Sequence, residues 1–190
     1  MPTAFHPHNT NPLTQYPQAW DRASQVKLLV LDVDGVLTNG QVWIGADGKE
    51  SIKAFDIQDG LGIKLLQQVG IPTAIITGRN SKMVLARCEE LGIQHVHMGV
   101  ENKALALAEI LKSLSIHSNN CAVMGDDWPD LAMMKAAGFK ACPAQAHEAV
   151  KEVVHFVTDR SGGNSAVREV CDLILKSQNH YEALLNQAKN

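Results

Sequence analysis

Apolar residues recur along this chain in two alternating patterns. Short, largely apolar runs predict six β-strands, which are Val26–Leu31, Thr73–Ile76, Gln94–His97, Cys121–Met124, Phe139–Ala141 and Phe156–Val157. Apolar residues at helical spacing lie between the strands, as in the stripe Leu107, Ile110, Leu111 and Leu114. Apolar strands that alternate with helices form a parallel sheet covered on both faces. The pattern therefore predicts an α/β fold with a doubly wound, Rossmann-like parallel sheet.

Three segments fall outside this alternation. Residues 41–53 contain two short strand-like stretches around a Gly-Ala-Asp-Gly turn, which predicts a projecting β-hairpin. Four of the seven prolines lie within the first seventeen residues, so residues 1–25 are expected to form a flexible leader with one anchoring turn near Trp20. The predicted organisation is a single domain over residues 26–178, followed by a C-terminal tail over residues 179–190.

Composition and charge narrow the class of protein. Hydrophobic residues make up 45% of the chain and charged residues 19%, as expected for a globular protein. The 17 basic and 20 acidic residues give a net charge of −3, so nothing general attracts nucleic acid or an anionic membrane. The four cysteines form no C-x-x-C pair, and neither a signal peptide nor a membrane-length apolar run is visible. We therefore expect a cytoplasmic protein without nucleic-acid or membrane partners.

Two aspartates follow the first predicted strand. Asp32 and Asp34 precede Gly35, where the extended chain is expected to turn. Open α/β sheets bind ligands at the carboxyl ends of their strands, and two carboxylates so close repel each other unless a cation lies between them. The pair predicts a divalent metal site, most simply for Mg²⁺. The alternative is an exposed Asp-x-Asp-Gly turn without a chemical role.

Two other predicted strands also end in polar residues. The segment Thr77–Arg79 combines a hydroxyl with backbone N–H groups before a helix, which is typical of a phosphate site. The alternative for this stretch is that Ser81 simply caps the helix. Asp126 follows a further strand and is expected to face the same crevice. Lys103 begins a predicted helix, where a cation is unfavourable unless an anion lies nearby.

These residues resemble the motifs of the haloacid dehalogenase superfamily of phosphohydrolases. The matching residues are, in order, Asp32-x-Asp34-Gly35-x-x-Thr38, Thr77-Gly78, Lys103 and Gly125-Asp126-Asp127-x-x-Asp130. One branch, the 3-deoxy-D-manno-octulosonate 8-phosphate phosphatases, is also similar over Lys53–Ile63, Ile75–Arg79, Asn102–Lys103 and Gly162–Glu169. The resemblance extends from Lys27 to about Leu175. The short spacing between the motifs leaves room for the hairpin but not for the cap domain that is usual in the superfamily.

The resemblance implies a role for each aspartate. Asp32 is expected to be the nucleophile, and Asp34 the acid that protonates the leaving group. Mg²⁺ is expected to bind Asp32, the backbone carbonyl of Asp34, and Asp126. The chain departs from the branch at Ser165, where glycine is usual, and at the proline that here precedes Asp130. Asp127 and Asp130 are expected only to support the site.

The cations and the phosphate-binding residues follow in the same way. Thr77, Gly78 and Lys103 are expected to hold the phosphoryl oxygens. Lys53 and Arg79, which their neighbours in sequence place near the crevice, are expected to bind the substrate, since a sugar acid phosphate carries a carboxylate and the arginine fork suits carboxylates. Hydrolysis of a phosphate monoester brings a carboxylate up to a dianion, which requires this compensation of charge.

The predicted function is that of a Mg²⁺-dependent phosphomonoesterase for a small phosphorylated sugar acid. The resemblance favours 3-deoxy-D-manno-octulosonate 8-phosphate, in lipopolysaccharide precursor synthesis. The alternatives are a phosphatase for a related nine-carbon sialic-type acid phosphate, a phosphoprotein phosphatase, and a non-catalytic regulatory module. The resemblance also implies a homotetramer with central hairpins. A neighbour would complete each site, through the Gly162–Arg168 segment or the C-terminal tail.

Overall fold

The computed structural model describes residues 16–189. Its centre is a six-stranded parallel sheet made of β1 (Leu28–Leu31), β4 (Thr73–Ile76), β5 (His95–His97), β6 (Cys121–Met124), β7 (Phe139–Cys142) and β8 (Phe156–Val157). The strands lie in the order β5-β4-β1-β6-β7-β8. The six predicted strands are therefore confirmed, with differences of no more than two residues at an end.

Helices cover both faces of this sheet. In the described residues they are α1 (Pro17–Ala23), α2 (Ile57–Gln68), α3 (Lys82–Leu91), α4 (Lys103–Leu114), α5 (Leu131–Ala136), α6 (Glu148–Lys151), α7 (Ala166–Ser177) and α8 (Tyr181–Ala188). Leu29 and Leu31 of β1 pack in a core layer with α1, α2, α3 and α7. Leu28 and Val30 face the opposite layer, with α4, α5 and α6. This confirms the doubly wound α/β fold.

Strand β1 lies in the middle of the sheet, and its register determines which residues meet at the carboxyl edge. Leu31 pairs with Ile75 of β4 and with Met124 of β6. The residues that follow these three positions therefore leave the sheet side by side. The edge thereby collects the chain segments that begin at Asp32, Thr77 and Gly125.

The predicted hairpin is confirmed by two short antiparallel strands, β2 (Trp43–Ile44) and β3 (Glu50–Ile52). Residues 32–56, all of which are described, contain no other regular element, so the hairpin is the only insertion between β1 and α2. The side chains of Trp43, Ile44 and Ile52 are about 60% exposed. The hairpin therefore presents an exposed apolar surface.

The chain before β1 differs from the prediction. The anchoring turn expected near Trp20 is part of a longer helix, α1 (Pro17–Ala23), which packs against α7. Pro17 occupies the first turn, where a fixed φ suits a helix and a missing N–H costs nothing. Ala19 and Ala23 are buried. The rest of the predicted leader, residues 1–15, lies outside the described residues.

The predicted C-terminal tail is also partly helical. Helix α8 occupies most of it, and Tyr181 and Leu184 pack against the core. This segment is therefore engaged with its own domain. Across residues 16–189, none of the helices is both long enough and apolar enough to span a membrane.

Helix α7 begins against α2, and two aspartates of that region hold its first turn. The N–H of Arg168 donates to Asp59 Oδ1 at 2.8 Å, and the hydroxyl of Ser165 donates to Asp56 Oδ2 at 3.3 Å. Ser165 has a φ of 69°, in the left-handed region that favours glycine. Asp59 is 1% exposed. Burial raises the pKa of Asp59 to about 7, although the N–H of Arg168 acts in the opposite direction.

Candidate active site

A cleft of about 470 Å³ opens at the carboxyl edge of β1, β4 and β6. It is lined by Asp32, Asp34, Gly40, Thr77, Gly78, Arg79, Val100, Lys103, Asp126, Asp127, Pro129 and Asp130. The structure thus brings together all of the predicted site residues except Lys53. The parallel sheet explains this convergence, because the three strands deliver their following loops to one edge.

A buried triad of charges forms the floor of the cleft. The ammonium of Lys103 lies 2.8 Å from Asp32 Oδ1 and 2.7 Å from Asp130 Oδ1. Burial alone would lower the pKa of Lys103, but the two carboxylates raise it above its ordinary value. Burial raises the pKa of Asp32 to about 6; the charge of Asp130 adds to this and Lys103 opposes it. Lys103 therefore stays charged at the first position of α4, where anions compensate it.

Three carboxylates crowd the same point. Oxygen atoms of Asp32, Asp126 and Asp130 lie within 4.8 Å of one another. Burial, together with the charges of Asp130 and Asp32, raises the pKa of Asp126 to about 7. One lysine cannot compensate three clustered carboxylates, of which Asp32 and Asp130 are buried and Asp126 is partly buried, so this set of hard oxygen ligands fits an additional divalent cation such as Mg²⁺.

The turn after β1 allows Asp126 to approach closely. Gly35 has a φ of 87°, and a Cβ at this position would overlap the Asp126 carboxylate. Only glycine meets both requirements without strain. The spacing Asp-x-Asp-Gly therefore has a structural reason: the glycine makes space for the third aspartate.

Asp130 has a larger part in the site than the sequence indicated. Its Oδ2 accepts the N–H groups of Asp126 at 2.9 Å and Asp127 at 3.3 Å, while Oδ1 faces Lys103. Asp127 Oδ1 in turn accepts the N–H of Trp128 at 2.8 Å. The two aspartates form a capping box around the short 3₁₀ helix Trp128–Asp130. The three-residue spacing of Asp127 and Asp130, which is typical of a capping box, is the sequence feature that could have predicted this arrangement.

The second strand end provides a buried hydroxyl and an exposed cation. Thr77 is 2% exposed, and the N–H of Arg79 donates to its Oγ1 at 3.4 Å. Ser81 occupies the N-cap position of α3, but its side chain makes no capping hydrogen bond there. The competing interpretation of this stretch, an ordinary serine cap, therefore lacks its hydrogen bond.

Lys53 contacts the cleft residue Asp34 but does not itself line the cleft. Its ammonium donates to Asp34 Oδ1 and lies 2.9 Å from Glu50 Oε1, and its side chain is 1% exposed. In this arrangement Lys53 is paired with two carboxylates, and its expected role in substrate binding stays a prediction. Arg79 is half exposed, with Nε 3.7 Å from Asp34 Oδ2 and Nη2 3.8 Å from Glu50 Oε2. It is the cation at the mouth of the cleft.

The Gly162–Arg168 segment contacts the loop after β1 of its own chain. The N–H of Gly163 donates to the carbonyl of Val36 at 3.1 Å. The Arg168 guanidinium donates to Asp172 of its own helix at 2.7 Å. The segment therefore supports the loop after β1 of its own chain, and its expected contribution to a neighbour's site stays a prediction.

Comparison with known proteins indicates the same family as the motifs do. A family model described as haloacid dehalogenase-like hydrolase matches residues 96–171. The 3-deoxy-D-manno-octulosonate 8-phosphate phosphatase KdsC of Salmonella typhimurium is 41% identical over 172 residues, which are 90% of this chain and 91% of that protein. The chain belongs to this phosphatase family. The predicted family and the predicted class of enzyme, a phosphatase, are thereby confirmed.

Solved structures of this phosphatase family share the fold. The 3-deoxy-D-manno-octulosonate 8-phosphate phosphatase of Moraxella catarrhalis, crystallised with a magnesium ion, a phosphate ion and a KDO molecule, has a TM-score of 0.86 and 45% identity. The match covers 90% of this chain and 97% of that one. A probable YrbI family phosphatase of Pseudomonas syringae has a TM-score of 0.89 and 40% identity, covering 92% and 98% of the two chains.

Proposed function

We propose that this enzyme hydrolyses 3-deoxy-D-manno-octulosonate 8-phosphate to 3-deoxy-D-manno-octulosonate and phosphate, as a step of lipopolysaccharide precursor synthesis. The observation that carries the proposal is the meeting of Asp32, Lys103 and Asp126 in one cleft. The substrate is supported by the names of the curated relatives and by the KDO molecule in the Moraxella catarrhalis protein.

Asp32 is the proposed nucleophile. One of its carboxylate oxygens forms a bond to phosphorus while the bond from phosphorus to the leaving oxygen breaks, and the electron pair goes to that oxygen. Asp34, two residues further along the same loop, supplies the proton to the leaving oxygen. Asp34, now a carboxylate, then takes a proton from the water that attacks the phosphorus of the aspartyl phosphate; the bond from phosphorus to Asp32 breaks, phosphate is released, and both aspartates are restored.

The phosphoryl oxygens are held by groups that surround Asp32. Lys103 lies 2.8 Å from the nucleophile and offsets the repulsion between the carboxylate and the phosphate dianion. Thr77 and the backbone of Gly78 line the facing wall, where a hydroxyl and an N–H donate to phosphate. The buried position of Lys103 strengthens its interaction, because little water screens it.

Asp32, Asp126 and the backbone carbonyl of Asp34 are the proposed ligands of Mg²⁺. Asp130 is the weaker candidate, since Lys103 and two backbone N–H groups already occupy its oxygens. When bound, Mg²⁺ supplies positive charge to a phosphoryl oxygen as a Lewis acid. The burial of Asp126 among acids supports a cation at this point.

Substrate selection is assigned to Arg79. The guanidinium is half exposed at the mouth of the cleft and suits the planar carboxylate of a sugar acid. Glu50 lies 3.8 Å away and limits the positions that Arg79 can take. The hairpin, which carries Glu50, thereby contributes to specificity.

We also propose that the enzyme is a cytoplasmic homotetramer. The apolar hairpin supports this proposal, because its exposed side chains would be covered by hairpins of other copies. A subunit placed there would also narrow the cleft mouth near Arg79.

The experiment that tests the proposed function is phosphate release from a panel of phosphate esters, with Mg²⁺ and with a chelator. We expect the highest kcat/KM on 3-deoxy-D-manno-octulosonate 8-phosphate and no turnover without the metal. The panel includes a nine-carbon sialic-type acid phosphate and a phosphopeptide. A higher kcat/KM on either of these would contradict the proposed substrate.

A further inference from the structure

The side chain of Gln145 connects two loops beneath the cleft. Its Nε2 donates to the carbonyl of Gly35 at 2.7 Å, and its Oε1 accepts the N–H of Gly162 at 2.9 Å. The N–H and the oxygen of the side-chain amide therefore both bind backbone groups. Gln145 is not among the residues that line the cleft.

The turn that Gln145 contacts is the one that follows Asp34. Gly35 has a φ of 87°, and glycine leaves such a turn free to adopt many other conformations. Its N–H donates to Thr38 Oγ1 at 3.4 Å, while its carbonyl accepts from Gln145. The peptide groups on both sides of Gly35 are therefore anchored, and with them the direction of the Asp34 carbonyl.

The loop after β8 closes on the same turn. A Cβ at Gly162 would overlap the carbonyl oxygen of Gly35. The N–H of Gly163 also donates to the carbonyl of Val36 at 3.1 Å. Such close backbone contact explains why two glycines stand here. Gln145 lies at the junction of these two loops.

The segment that carries Gln145 is itself tied to the acidic cluster. The N–H of His147 donates to the carbonyl of Asp126 at 2.9 Å, and the N–H of Ala144 donates to the carbonyl of Arg160 at 3.1 Å. The backbone of Asp126 and the turn after Asp34 are thus held by one segment, in which Gln145 provides the side-chain link.

We propose that Gln145 is a positioning residue for the metal site: it fixes the Asp34–Gly35 turn relative to Asp126. The proposal rests on the proposed function, because it assumes that the Asp34 carbonyl and Asp126 share a Mg²⁺ ion. Removing the amide frees the turn, so the ligands must be ordered when the metal binds. Groups that orient metal ligands typically contribute about 10–100-fold to metal affinity.

The test measures Mg²⁺ binding by titration calorimetry without substrate. For Gln145→Ala we expect the Kd for Mg²⁺ to rise by about 10-fold or more. Gln178→Ala is the matched control, since the Gln178 amide also links loops, by donating to the carbonyls of Ala23 and Val26. Gln178 contacts Val26, ahead of the amino end of β1, whereas the acids follow the carboxyl ends of β1 and β6. The Kd of Gln178→Ala for Mg²⁺ should therefore equal that of the wild type.

Thermal unfolding distinguishes a role of Gln145 in positioning the metal ligands from a general role in stability. With a chelator present, the Tm of Gln145→Ala should be close to that of the wild type. The increase in Tm on adding Mg²⁺ should be smaller for Gln145→Ala than for the wild type. An unchanged Kd would overturn the proposal, and so would an equal loss of affinity in Gln178→Ala. If Gln145→Ala does not fold, Gln145→Glu replaces it, because its carboxylate keeps the acceptor for Gly162 but cannot donate to Gly35. If the wild type fails to bind Mg²⁺, the proposed function itself falls.

Discussion

Asp32 and Asp34 lie two residues apart, yet their surroundings divide the chemistry between them. Asp32 is buried beside Lys103, whereas Asp34 is partly exposed and lies towards the hairpin. We expect Asp32→Asn to abolish turnover and Asp34→Asn to reduce kcat by about 10²–10⁴-fold, the usual contribution of a general acid. Steady-state kinetics would measure both, with Asp47→Asn in the exposed hairpin turn as the control. Near-normal turnover by Asp32→Asn would rule out the proposed nucleophile.

Arg79 provides a second prediction for a single residue. Arg79→Ala should lower kcat/KM for the sugar acid phosphate much more than for p-nitrophenyl phosphate, because only the sugar acid phosphate has a carboxylate that Arg79 can bind. We expect a loss of about 10-fold or more, as for a charged hydrogen bond of about 1.5–3 kcal/mol. Lys82→Ala on nearby α3 serves as the control for removal of a cation. Equal losses on both substrates would indicate a role in phosphate binding instead.

The residues of the site could be predicted to different degrees. Asp32, Asp34, Thr77 and Asp126 could be found because each follows a recognisable strand, and parallel strands end at one edge. The partner of Lys53 could not, since its contact with Asp34 depends on the path of the chain after the hairpin. No sequence pattern indicated a role for Gln145, because its two partners are backbone groups that are distant in sequence.

At the scale of elements, the contact between α2 and α7 makes stability depend on pH. The folded protein holds the Asp59 proton more tightly than the unfolded chain does, since the pKa is raised from 3.8 to about 7. The free energy of unfolding should therefore fall as the pH rises through this interval. Because a difference of one in pKa corresponds to about 1.4 kcal/mol, we expect a loss of about 2 kcal/mol between pH values of about 5 and 8.

Asp59→Asn separates this effect from other titrating groups. The asparagine keeps an acceptor for the Arg168 N–H and has no charge to bury, so its free energy of unfolding should fall less over the same interval. Urea unfolding at the two pH values provides the measurement. The exposed Asp21→Asn should behave as the wild type. If wild type and Asp59→Asn lose equal stability, Asp59 is not the group responsible.

Most elements could be predicted from sequence, but the helices α1 and α8 near the two ends were not, and α1 shows why. The central strands are continuous apolar runs bounded by glycine or polar residues, a pattern that few other elements share. Helix α1 has seven residues and follows a proline-rich stretch, which favoured the prediction of a leader. Its signal was small: a proline that suits a first turn, followed by the buried alanines Ala19 and Ala23.

For the whole molecule, the exposed hairpin predicts assembly. Light scattering should give about four times the 20.6 kDa mass of one chain. Ile44→Asp places a charge in the apolar hairpin surface and should yield smaller species with reduced kcat/KM. Val153→Asp is the control, because Val153 is also exposed but lies far from the hairpin in sequence. A fully active monomer would contradict the proposed tetramer.

Helix α1 has a consequence for any shortened or fused form of the enzyme. Arg22 donates to the carbonyl of Gly138 at 2.9 Å, ahead of β7, and Gln178 reaches back to Ala23 from the end of α7. A chain that starts at Val26 would expose the apolar surface beneath Ala19 and Ala23. It would also leave the Gly138 carbonyl without its Arg22 donor and the Gln178 amide without its Ala23 acceptor. A fusion partner joined directly to Val26 would create the same exposed surface, and with it a risk of aggregation. Joining it ahead of Pro17 instead keeps this contact between the two ends of the domain intact.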